Sequence, residues 1–219
     1  MRNTLDRELE TLNREIIETG ALCEEAIKLA SEAFLEGDAS RAQQVYSTDS
    51  EIDKMEHSIE TRCMNLLWRR QPFASDFRRV SAALKMVSDM ERIGDMASNI
   101  AEITGFLGGL CGDERDLISG MAHETVKMVT SAVDSYVRND FELAGNVIDG
   151  DDLIDDYFRR VKRSLVGRIA KKPDEGEYEL DILIVAKYFE RIGDHATNIA
   201  EWVRYSIDGE IRTETRYAK

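Results

Sequence analysis

The chain has 219 residues, of which 42% are apolar and 33% charged, and its formal net charge is −14. This length and apolar content suffice for one globular domain or two small ones. No run of about 18 apolar residues occurs, so the sequence predicts no membrane-spanning helix. The strongly acidic balance also disfavours nucleic acid and anionic lipid as partners, because their phosphates repel it.

The cysteines and the charged start of the chain favour a cytoplasmic location. Three cysteines occur, Cys23, Cys63 and Cys111, and none forms a CxxC pair. That spacing disfavours a disulfide framework and a thiolate zinc site, so we expect reduced, structurally passive thiols. The first residues are charged throughout, which is unlike a secretory signal peptide.

Each half of the chain predicts three long helices. Gly37-Asp38 ends one helix and caps the next, and Pro72 follows the second helix. A glycine-rich segment, 106–113, connects the halves, and KKPDEG at 171–176 forms the last predicted loop. The predicted helices cover 4–36, 38–70 and 75–107 in the first half, and 113–138, 140–170 and 176–207 in the second.

Helices of about 30 residues are about 45 Å long, and short connections make them pack as antiparallel bundles. We therefore predict an all-α fold class with two tandem three-helix bundles related by a pseudo-twofold axis. The predicted domains are the first bundle at 1–107 and the second at 113–207, followed by a polar C-terminal tail at 208–219.

Two sequence blocks repeat in the same order, which indicates an internal duplication. ERIGDMASNIAE at 91–102 recurs as ERIGDHATNIAE at 190–201, an offset of 99 residues. Upstream, the segment 33–53 resembles 135–155 at an offset of 102. Duplication of a whole three-helix unit explains both blocks.

The repeated segments place acidic side chains on one side of a helix and apolar side chains on the other. Glu91 and Asp95 are four residues apart, and so are Asp49 and Asp53 on the preceding helix. If these helices are adjacent and antiparallel, the two pairs meet. Carboxylates that converge suit oxygen-preferring cations such as Mg²⁺, Mn²⁺, Ca²⁺ or iron.

The same geometry applies to the second copy. Each bundle thus has one candidate metal site, and the eight predicted ligands are Asp49, Asp53, Glu91 and Asp95, then Asp151, Asp155, Glu190 and Asp194. Gly94 and Gly193 support this interpretation, since a glycine within a helix costs about 1 kcal/mol relative to alanine and indicates a close approach. The competing interpretation is a pair of solvated acidic faces.

Other chemistry has little support in the sequence. His57 and His195 lie beside acidic residues, but neither recurs in the other copy, so we expect surface histidines. There is no ExxH pair of the di-iron type, no phosphate-binding loop and no nucleophile with an evident base. We therefore predict a protein without enzymatic activity. The alternatives are a metal-dependent enzyme or metal store that uses the same clusters, and a helical adaptor that binds no ligand.

Three segments resemble the PhoU family: RQPFASDFRRV at 70–80, SDMERIGDMASNIAE at 88–102 and KYFERIGDHATNIAE at 187–201. The resemblance extends over nearly the whole chain. It implies two three-helix bundles with multinuclear iron or zinc sites, held by the eight acidic residues named above.

The resemblance also implies a function. Members of this family are negative regulators of the phosphate-starvation response. They couple the ATPase subunit of the phosphate-specific ABC transporter to a sensor histidine kinase, and they commonly form homodimers. For this chain we accordingly expect those protein partners, a homodimer, and neither nucleic acid binding nor direct insertion into the membrane.

Overall fold

The computed structural model describes residues 2–70, 72–105, 109–110 and 112–211, and it is all-α in these residues. A short 3₁₀ helix at Pro173–Glu175 precedes the last helix. The six α-helices are α1 (Arg2–Glu36), α2 (Ala39–Arg70), α3 (Ala74–Thr104), α4 (Asp113–Arg138), α5 (Phe141–Lys171) and α6 (Gly176–Asp208). The predicted fold class and the six predicted helices are confirmed.

The helices begin where the local sequence predicts. Gly37 adopts a left-handed φ of 70°, and the Asp38 carboxylate accepts hydrogen bonds from the amides of Ser40 and Arg41. In the second half, Asn139 is left-handed with φ 51°, and Asp140 caps α5 by accepting from the Leu143 amide at 2.9 Å. The same turn chemistry therefore separates the first two helices of each bundle.

One predicted helix end differs from the structure by three residues, and the other ends lie within two residues of the prediction. Helix α3 stops at Thr104 rather than at residue 107, and the amide of Gly105 bonds back to the Glu102 carbonyl at 3.2 Å. Residues 106–108 and Cys111 of the predicted connector, and residues 212–219 of the predicted tail, lie outside the described residues.

Helices α1, α2 and α3 pack together, as do α4, α5 and α6, and the two bundles meet along α1–α4 and α3–α6. The Arg78 guanidinium near the start of α3 donates to the carbonyls of Ser206 and Ile207 at the end of α6. Gly20 on α1 packs against Val133 near the end of α4, where an added Cβ would lie only 2.9 Å from a valine methyl. Both contacts join antiparallel helices, which agrees with a twofold relation between the halves about an axis perpendicular to these helices.

One continuous apolar core runs through both bundles. Cys23 and Cys63 lie in this core, and burial raises the pKa of each thiol to about 12. These two thiols are therefore protonated and passive at neutral pH, as predicted. No helix in the described ranges has a stretch long and apolar enough to cross a membrane.

Candidate metal centres

The first acidic cluster lies where α2 crosses α3. Helix α3 has no side chain at Gly94, and Asp49 from α2 fills this gap, because a Cβ at Gly94 would lie 2.5 Å from Asp49 Oδ1. The Ser98 hydroxyl, one turn along α3, donates to Asp49 Oδ2 at 2.6 Å. In the described part of the chain nothing donates to Asp49 Oδ1, although that oxygen is buried. A buried carboxylate oxygen without a partner is a candidate ligand for a cation.

The electrostatics connect the four predicted residues of this cluster, because the charges of Asp53 and Asp95 act on both Asp49 and Glu91. Burial raises the pKa of Asp49, and the charges of Asp53 and Asp95 raise it further. The pKa of Glu91 is raised by burial and then by Asp95, with a smaller contribution from Asp53. Folding therefore brings like charges together at a partly buried place, which is unfavourable without a cation.

Arg92 compensates part of this charge. Its guanidinium lies 3.4 Å from Glu91 Oε2 and 3.4 Å from Asp95 Oδ2. The arginine side chain is 58% exposed, so solvent screens these ion pairs strongly. The net charge of the cluster remains negative.

The structure adds Glu56 to the first cluster, which the sequence reasoning missed. Burial raises the pKa of Glu56, and Glu60 and Asp53 raise it further. Glu56 also contributes to the raised pKa of Glu91 across the helix pair. A signal was available, because Glu56 lies three residues after Asp53 and thus on the same side of α2.

The second cluster repeats the crossing with α5 and α6. A Cβ at Gly193 would lie 3.3 Å from Asp151 Oδ1, so the fit is looser than at the first cluster. Burial raises the pKa of Glu190, and the charges of Asp194 and Asp155 raise it further. The four predicted residues of this cluster are therefore also brought together.

A lysine distinguishes the second cluster from the first. The Lys187 ammonium lies 2.5 Å from the carboxylate oxygens of Glu190, and this contact opposes the rise in the pKa of Glu190. The corresponding position in the first copy is Ser88, which hydrogen-bonds Glu56 instead. The first cluster is therefore more acidic than the second.

In their present rotamers these carboxylates do not close around a single point. No group of three or more His, Cys, Asp or Glu side chains in the described ranges is arranged to hold a metal ion. The structure brings the predicted residues to the same two helix crossings, and a cation there would require some of their side chains to rotate.

His195 has a different role from the one the sequence suggested. Its Nδ1 lies 2.9 Å from Asp89 Oδ1 on α3, and the Asn198 amide donates to the same oxygen at 3.1 Å. The expectation of a surface histidine is therefore wrong, since α3 covers this side chain, which is only 18% exposed. His57 is 81% exposed, as expected.

Comparison with known proteins supports the fold and the duplication. The PhoU domain model matches the chain twice, at residues 16–104 and 118–203. The phosphate-specific transport system accessory protein PhoU homolog of Pseudomonas aeruginosa is 36% identical over 204 residues, which cover 92% of this chain and 84% of that protein.

Two crystal structures show the same architecture. PhoU from Pseudomonas aeruginosa matches with a TM-score of 0.89 and 35% identity, over 94% of this chain and 99% of that one. The phosphate transport system regulatory protein PhoU from Streptococcus pneumoniae matches with a TM-score of 0.85 and 25% identity, over 95% and 99%. With the family model matched in both halves and the identity maintained over nearly the full length, the chain belongs to the PhoU family.

Proposed function

We propose that this protein is a cytoplasmic negative regulator of the phosphate-starvation response. It acts as a homodimeric adaptor between the phosphate-specific ABC transporter and a sensor histidine kinase. The observation that carries the proposal is the PhoU match in both halves of the chain, together with a full-length relative named as a transport accessory protein. The relative is named as an accessory protein, which supports a regulator rather than an enzyme.

The second part of the proposal is that each acidic cluster binds divalent cations, with iron or zinc as the expected metals and magnesium, manganese or calcium as alternatives. Three features of the first cluster support it: the unpaired buried oxygen of Asp49, the space at Gly94, and carboxyl groups whose charges repel. When bound, a cation would supply the positive charge that these carboxylates lack.

The chain's own residues provide the rest of the arrangement. Ser98 orients the Asp49 carboxylate, and Gly94 lets α2 approach α3 closely enough for that carboxylate to reach it. At the second cluster, Lys187 holds the Glu190 carboxylate. Because the two copies differ in this way, we expect the first cluster to retain divalent cations more tightly than the second.

The regulatory part is tested in a strain that lacks its own copy of the gene and carries a phosphate-starvation reporter. The wild-type chain should restore repression in high phosphate. It should also retain the transporter ATPase and the kinase in a pull-down. Failure of both in the wild type would overturn the adaptor role.

The metal part is tested with a matched pair of double variants. Asp49→Asn with Asp151→Asn removes one carboxylate from each cluster, whereas Glu51→Gln with Asp152→Asn removes two exposed charges from the same helices. Metal content of protein purified without chelator should fall only in the first variant. Equal metal content in both would place the metal elsewhere.

A further inference from the structure

Helix α5 is divided by charge at its midpoint. Residues 141–156 include six acidic residues and no lysine or arginine. The rest of the helix and the two residues that follow it, 157–173, include seven lysines and arginines and no acidic residue. In a chain of net charge −14, this second half is a concentrated positive region about 24 Å long. The electrostatic field of this positive segment favours an anionic partner at one place on the molecule.

Three of these cations have no ion-pair partner among the described residues. Arg168 pairs with Glu114 and Glu179, and Arg159 lies 3.7 Å from Asp156. By contrast, the described residues provide no ion pair for three exposed side chains of the same half-helix, which are Lys162, Arg163 and Lys171.

Exposed aliphatic side chains occur on the same half of α5 and on the adjoining helix α6. Val166 on α5 is 61% exposed, and Leu180 and Ile184 on α6 are 52% and 44% exposed. The two helices adjoin here, since the Lys187 ammonium on α6 lies 5.4 Å from the ring centre of Phe158 on α5. We call this surface the cationic face and define it by Lys162, Arg163, Val166, Leu180 and Ile184.

The corresponding surface of the first bundle has a different character, although the backbone is the same. Residues 55–71, which correspond to 157–173, include two acidic and three basic residues. Met64 stands where Val166 does and is equally exposed, at 59%, but Glu60 replaces Lys162. Duplication by itself would preserve the surface, so the cationic face is a property of the second copy alone.

We infer that the cationic face binds an acidic amphipathic helix of a partner protein. The inference deepens the adaptor role proposed above, on which it rests, by assigning one docking surface and the chemistry of its ligand. Carboxylates of the partner helix would pair with Lys162 and Arg163, and its apolar side chains would cover the exposed aliphatic groups of α5 and α6.

Protein fits this surface better than a bilayer or nucleic acid does. The second acidic cluster begins on the same side of α5 at Asp155, one turn before Arg159, so an extended layer of phosphates would be pressed against carboxylates. The exposed apolar groups are aliphatic, whereas membrane-interface anchors are typically tryptophan and tyrosine. A narrow acidic helix engages the cations without covering the cluster.

The test places a benzophenone photo-cross-linking side chain at Val166 in the full-length chain, and at Met64 as the matched position in the first bundle. After irradiation of cells, mass spectrometry identifies the segment attached to each position. The expected product at Val166 is a protein segment with an excess of Asp and Glu and apolar residues at three- and four-residue spacing. The Met64 position should not give this product.

Charge reversal then tests whether the lysine and arginine cause the binding. Lys162→Glu with Arg163→Glu should lower the yield at Val166 at least fivefold. Lys54→Glu with Lys85→Glu makes the same change in net charge on the first bundle. This variant should leave the cross-link yield at Val166 within twofold of the wild-type yield. Matching circular dichroism spectra and melting temperatures would show that both variants fold.

Four results would overturn the inference: an adduct to lipid or nucleic acid, an adduct to a second copy of this chain, a segment without acidic excess, or no adduct above the Met64 level. An acidic product that ignores charge reversal would do so as well. The reporter experiment keeps the two proposals distinct. If wild-type repression fails while the acidic adduct forms, the regulatory role is contradicted and the docking surface is supported. If repression occurs without the adduct, the docking surface is contradicted and the regulatory role is supported.

Discussion

Replacement of Gly94 by alanine separates metal binding from stability at the first cluster. The new Cβ would lie 2.5 Å from Asp49 Oδ1 and 3.1 Å from the Ile52 Cδ1 methyl, whereas comfortable contacts need about 3.5 Å. The Asp49 carboxylate must therefore move by on the order of 1 Å. This movement breaks the hydrogen bond from Ser98.

The stability terms nearly cancel. Alanine in place of glycine within a helix gains about 1 kcal/mol, and loss of one hydrogen bond costs about 1 kcal/mol. We expect a net change within about 1 kcal/mol, which corresponds to a melting-temperature shift of about 2–4 °C at most for a chain of this size. Metal affinity should fall at least about tenfold, because displaced coordinating groups and their supports typically cost 10–100-fold.

The assay measures metal affinity by isothermal titration and stability by thermal unfolding of metal-free protein. Gly145→Ala and Gly167→Ala are matched controls, because nothing lies within 4 Å of a Cβ at either position; both should gain stability and keep metal affinity. Gly193→Ala should show a weaker effect, since its Cβ would be 3.3 Å from Asp151 Oδ1. Unchanged affinity in Gly94→Ala would refute a site built around Asp49.

Three further predictions use denaturation of the metal-free protein. Burial raises the pKa of Asp49 above 3.8, so its charged form opposes folding. The free energy of unfolding should therefore fall as pH rises through the raised pKa. Asp49→Asn should reduce this fall, and Glu51→Gln should not. Arg168→Met leaves two buried carboxylates without their cation. The free energy of unfolding in urea should fall by about 2 kcal/mol, a value reduced because the arginine is partly exposed. The exposed control Arg163→Met should lower it by less than about 0.5 kcal/mol. Asp89→Ala removes the acceptor shared by two α6 side chains and should lower the free energy of unfolding by about 1 kcal/mol. Amide hydrogen exchange should become faster along the α3–α6 interface than in α2. Equal exchange in the two regions would show that this contact does not join the bundles.

Local patterns in the sequence were enough to predict the helices and the duplication. Gly37-Asp38 and Asn139-Asp140 act within a few residues of backbone, where a left-handed φ and a carboxylate cap stop one helix and start the next. The alternation of apolar and acidic positions follows from the 3.6-residue period, which requires no knowledge of the neighbouring helix.

The candidate site was predictable to a similar degree and for a similar reason. Four-residue spacing places Glu91 with Asp95 on one side of α3, and a glycine between them indicates close approach by another element. The structure shows that this element is α2, whose Asp49 side chain occupies the space at Gly94.

Contacts between distant residues were decided only by tertiary structure. The position of Glu56 near Glu91 depends on the rotation and register of α2 against α3, and the pairing of His195 with Asp89 depends on how the two bundles are docked. Helical periodicity defines the face that a side chain occupies but not the residue that faces it across an interface. The repeated acidic segment thus predicted two similar clusters, whereas packing brings in flanking residues that differ between the copies, a glutamate at the first cluster and a lysine at the second.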